Sequence, residues 1–63
     1  MKIYEIVKGM MEGEYVRGDK FVNSDMGEIF ICGDELLWWS NFTSYTIMLG
    51  DDSEWEKVWY GNS

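Results

Sequence analysis

Glu28-Ile29-Phe30-Ile31-Cys32-Gly33-Asp34-Glu35-Leu36-Leu37-Trp38-Trp39 is the stretch on which the fold turns. β-Branched and aromatic residues fill both halves, and Gly33-Asp34 stands between them with glycine first, the pattern of a two-residue type II′ turn. The segment predicts a hairpin of strands 28–32 and 35–39. Side chains alternate along a strand, so Leu36 and Trp38 point one way while Leu37 and Trp39 point the other. Both faces of the second strand are therefore apolar.

Upstream, Ile3, Ile6, Val7, Met10 and Met11 recur at the spacing of one helical face, which predicts an amphipathic helix over 2–12 with both methionines as core filler. Gly9 inside it costs about 1 kcal/mol relative to Ala, so either another element packs closely there or the helix is marginal. Gly13 stands where a left-handed cap is expected. After it the period changes. Turn formers at Arg17-Gly18-Asp19, 23–27, 33–34, 40–41 and 50–53 leave room for further strands near 14–17, 20–23, 43–49 and 54–60. In the last of these Trp55, Lys57 and Trp59 share one face, and Glu56, Val58 and Tyr60 the other.

The expectation is a single α+β domain over 1–63, with the N-terminal helix packed on a small curved antiparallel sheet that resembles a half-open barrel. One helix covers one face only. Trp55 and one member of the Trp38/Trp39 pair are expected in the core, and the other member at a surface that a second copy or a partner would cover. A homo-oligomer is thus expected, a symmetric dimer by default.

With 63 residues the chain buries a limited core, about 60% of the surface exposed when unfolded. It holds no His and one Cys, Cys32, which excludes an internal disulfide, ordinary zinc and haem sites, and any Ser-His or Cys-His nucleophile pair. No catalytic residue, metal ligand or cofactor is indicated. Gly50-Asp51-Asp52-Ser53-Glu54 lacks the alternating ligand spacing of a calcium loop and reads as an acidic turn. Arg17-Gly18-Asp19 reads as a turn as well, and Asn41-Phe42-Thr43 as an idle sequon. The start shows neither a cationic n-region with an apolar run nor a membrane span, so a cytoplasmic location is expected, in keeping with the unpaired Cys32.

Twelve acids against five bases give a formal charge of -7, which disfavours direct binding to nucleic acid or an anionic membrane and favours basic partners. Arg17 is the sole arginine, and its planar fork suits phosphate or carboxylate. Trp38, Trp39 and Tyr45, with Trp55, Trp59 and Tyr60, supply rings that could stack on a base or anchor an interface.

The order of features resembles a loose set of small proteins encoded by phages and prophages of Gram-positive bacteria. The matching pieces are Ile6-Val7-Lys8-Gly9-Met10-Met11-Glu12-Gly13, Val16-Arg17-Gly18-Asp19-Lys20-Phe21, Leu37-Trp38-Trp39 and the closing segment from Leu49 to Val58. Within this set it is most similar to the type 2 Thoeris anti-defence family, whose members assemble as oligomers and sequester a cyclic ADP-ribose signal. The resemblance implies a sponge that antagonises bacterial immunity in the host cytoplasm by holding a nucleotide-like signal without chemistry. Against a charge of -7, such a site needs Arg17 and Lys20 to form a locally positive pocket, with Trp38, Trp39 and Tyr45 as stacking residues. The competing expectation is an acidic inhibitor that engages a basic surface of a host enzyme by imitating the charge of DNA.

Overall fold

The structure, a computed structural model, describes residues 1–59. A helix α1 (Ile3–Glu12) precedes four strands, β1 (Lys20–Asn23), β2 (Gly27–Cys32), β3 (Glu35–Trp38) and β4 (Glu56–Val58). They form one antiparallel sheet of order β3-β2-β1-β4, not closed into a barrel. The architecture is α+β, with the helix and the sheet sharing one core.

The hairpin at the centre follows its turn residues. Cys32 pairs with Glu35 across Gly33-Asp34, and Gly33 takes φ 70° while Asp34 stays at negative φ, as a type II′ turn requires. Register then fixes the faces. Phe21 pairs with Ile29 and Ile29 with Trp38, so these three stand in one row on the inner face, with Ile31 and Leu36 in the next. Ile3 and Ile6 of α1 close over them, and Tyr45 and Trp55 complete the buried cluster.

α1 starts where the Glu5 carboxylate accepts the Lys2 N–H at 2.6 Å, satisfying one donor of the first turn. It ends at Gly13, whose φ of 79° is the expected left-handed cap. Gly9 is buried for a reason: a Cβ there would stand 2.3 Å from Cδ2 of Tyr15, whose ring packs edge-on against Phe21 at 5.2 Å. Close approach, not a marginal helix, accounts for that glycine.

Three sequence expectations are corrected. Residues 14–17 form no strand. Val16 to Asp19 is a turn in which Gly18 adopts φ 95° and the Asp19 carboxylate accepts the Val16 N–H at 2.9 Å. Residues 43–49 form no strand either, touching β3 only through the Leu37–Ser44 bridge and the Tyr45 N–H to Leu36 hydrogen bond. Met11 is 83% exposed, because it lies five residues past Ile6, about 140° around the helix. The last strand is confined to Glu56–Val58, and Tyr60 lies outside the described residues. No helix among the described residues is long and apolar enough to cross a membrane.

Candidate functional site: the uncovered face of the sheet

The face opposite α1 carries Leu37, Phe30, Lys20 and Val58 in one row across all four strands, as the pairs Phe30–Leu37, Lys20–Phe30 and Lys20–Val58 dictate. Glu28, Val22 and Glu56 make the row beside it. Trp39 follows directly after β3 and is anchored by its N–H to the Glu28 carbonyl at 2.9 Å. Its indole is 46% exposed and edge-on to Phe30 at 5.3 Å.

A tight reversal then adds a third ring. Phe42 donates its N–H to the Trp38 carbonyl and Trp38 donates back to the Thr43 carbonyl, while the Asn41 carboxamide oxygen accepts both the N–H and the hydroxyl of Thr43. This closure leaves Phe42 at φ 59°, the left-handed region that a bulky side chain rarely adopts and that costs of order 1–3 kcal/mol. The strained residue is 63% exposed, edge-on to both Phe30 at 5.6 Å and Trp39 at 5.9 Å. Backbone strain is thus spent on displaying an apolar ring to solvent. Such a combination marks a working surface better than it marks a core.

Lys20 lies across this triad. Its Nζ is 4.1 Å from the centre of the Trp39 ring and 3.9 Å from Oε1 of Glu28. Trp39 and Lys20 therefore meet, as the sequence reading grouped them. The other three candidate residues do not join them. Trp38 and Tyr45 lie on the inner side, edge-on to each other at 5.1 Å and beside Trp55. Arg17 sits exposed in the Val16–Asp19 turn, with no ion pair or hydrogen bond from its side chain to any described residue.

Tyr45 is instead structural. Its hydroxyl donates to Asp51 Oδ2 at 2.6 Å, Ser53 donates both its N–H and its hydroxyl to Asp51 Oδ1, and Trp55 Nε1 donates to Ser53 Oγ at 2.7 Å. Burial, reinforced by the bond to Asp51, raises the Tyr45 hydroxyl above its usual pKa. The bonds from Ser53 and Tyr45 hold the Asp51 carboxyl below its own. An open cleft of about 550 Å3 lies over this network, walled by Trp38, Tyr45, Met48, Leu49, Asp51 and Asp52. Its polar wall is anionic, the wrong sign for a phosphate.

The remaining cations are dispersed. Lys2 pairs with Glu54 at 2.8 Å, Lys57 lies 3.8 Å from Asp19 with its Nζ over Trp59 at 3.9 Å, and Lys8 is exposed on α1. The residues that the sequence did not single out are Phe30, Phe42 and Glu28. Strand alternation could have placed Phe30 and Glu28 on the Trp39 side, whereas nothing local announces the left-handed Phe42. Comparison with protein-family models, curated proteins and solved structures finds no match to this chain.

Proposed function

We propose that this protein is a small, non-enzymatic binding module that acts by covering a basic surface of a partner protein inside the host bacterial cell, with the outer sheet face as its contact. The observation that carries the reading is the pair of exposed rings Trp39 and Phe42 packed edge-on to the half-buried Phe30, with Phe42 displayed at the expense of backbone strain, on a chain of charge -7. Aromatic anchors supply most of the energy of typical interfaces, and complementary charge supplies approach and selectivity. The test is reconstitution of the protein with a partner recovered from the host. The partner is expected to be basic, affinity to fall steeply with salt, and Trp39→Ala to abolish binding without lowering the melting temperature appreciably. A neutral partner held in a salt-independent way would sink the reading.

A second reading keeps the signal sponge implied by the phage-family resemblance. It is favoured by one observation, the adjacency of an exposed indole and an ammonium at Trp39 and Lys20, which matches a base beside its phosphate. Arg17, Trp38 and Tyr45 then drop out of that ligand site unless a second copy brings them together. Native mass spectrometry of protein purified from host cells reports both the subunit number and any retained nucleotide.

A further inference from the structure

Resting on the basic-partner reading, we infer that Glu28 and Trp39 form a receptor for an arginine side chain of the partner, and that Lys20 occupies it as a stand-in in the free protein. A carboxylate beside an exposed indole offers a guanidinium both a bidentate hydrogen-bonding edge and a ring face to stack on. Glu28 and Trp39 are brought together by the backbone itself, through the Trp39 N–H to the Glu28 carbonyl. Lys20 fills the place loosely. Its ammonium stands 3.9 Å from the carboxylate and makes no hydrogen bond to a described residue, whereas Lys2 meets Glu54 at 2.8 Å and also donates to the Asp52 carbonyl at 3.0 Å.

An arginine arriving from a partner gains both hydrogen bonds that Lys20 lacks. The displaced Lys20 ammonium moves out to water on its flexible stem. Charge complementarity selects the occupant: the body carries -7, and Glu56 stands in the same cross-strand row as Glu28. Phe30 and Phe42 flank it and exclude water from the stacked cation. Lys20 thus acts as an internal competitor that sets the affinity for basic surfaces below its ceiling.

A hexa-arginine peptide is the probe, titrated by calorimetry into the full chain. Lys20→Met keeps the stem and removes the ammonium, and is expected to tighten binding about fivefold, the value of one cation–π contact of about 1 kcal/mol. Lys8→Met on the exposed face of α1 makes the same change in net charge and is expected to tighten binding much less. Adding Trp39→Leu to Lys20→Met is expected to cancel the gain, and Lys20→Gln supplies a second route should Lys20→Met fold poorly. Equal gains from the Lys8 and Lys20 substitutions, or a gain that survives loss of Trp39, would overturn the notch while leaving the basic-partner reading intact. No binding of the peptide by any variant even at low salt would overturn both.

Discussion

At the scale of single residues, two positions separate stability from surface function. Gly9 faces Tyr15 so closely that the helix propensity gained by Gly9→Ala, about 1 kcal/mol, is outweighed by forcing the ring off Phe21, typically 1–3 kcal/mol for an overpacked site. Net destabilisation is expected in urea unfolding, and the sign should reverse in a Tyr15→Ala background, where the three ring atoms nearest the added methyl are gone. Stabilisation by Gly9→Ala in the wild-type background would show that Tyr15 yields freely. Phe42→Gly acts in the opposite sense. Relief of the left-handed backbone, about 1 kcal/mol, offsets the loss of two edge contacts of an exposed ring. Thermal stability should stay within about 1 kcal/mol of wild type, while capture of the partner is lost. A large fall in melting temperature would instead assign Phe42 to the core.

At the scale of elements, the junction between the start of α1 and the approach to β4 carries a pH signature. Lys2 and the amino group of Met1 both bind the Glu54 carboxylate, at 2.8 and 2.9 Å, and hold its pKa down to about 2 from an ordinary 4.5. A carboxyl depressed on folding stabilises the native state above its unfolded pKa and loses that contribution as pH falls from about 4.5 toward 2. The melting-temperature gap between wild type and Glu54→Gln should therefore be open at neutral pH and close across that window. A gap independent of pH would mean that the pairs contribute nothing in solution.

The same scale shows what could be read in advance. The 28–39 hairpin was legible because its turn demands a left-handed residue where glycine stands, and because alternation assigns every side chain to a face. Gly13 and the buried Trp55 were legible for equally local reasons. Residues 43–49 were not. Their β-branched and aromatic composition suits a strand, but Tyr45 is held through its side chain by Asp51 and Trp55, a contact that no spacing rule encodes. The candidate site divided in the same way. Alternation separated Trp39 from Trp38, whereas the exclusion of Arg17 and Tyr45 from the Trp39 face depended on where two irregular segments settle in three dimensions.

At the scale of the whole molecule, salt distinguishes the ways of covering the outer face. Two copies meeting there would bring together bodies of -7 each, so self-association should strengthen as ionic strength screens the repulsion. Binding to a basic partner should weaken over the same range, and sedimentation and affinity titration in parallel would report slopes of opposite sign. Equal slopes would remove electrostatics as the selector. One further consequence comes from the way residue 1 is tied to residue 55 by reciprocal backbone hydrogen bonds at 2.7 Å. The two hairpins joining β1, β2 and β3 need only short loops, whereas docking Trp55 closes a loop spanning nearly the entire chain, with a correspondingly larger entropic barrier. The hairpins should therefore be formed in the folding transition state and the Trp55 latch should not. Leu36→Ala should then mainly slow refolding, and Glu54→Gln mainly hasten unfolding, a division that a chevron analysis of the two variants would contradict if both acted on the same limb.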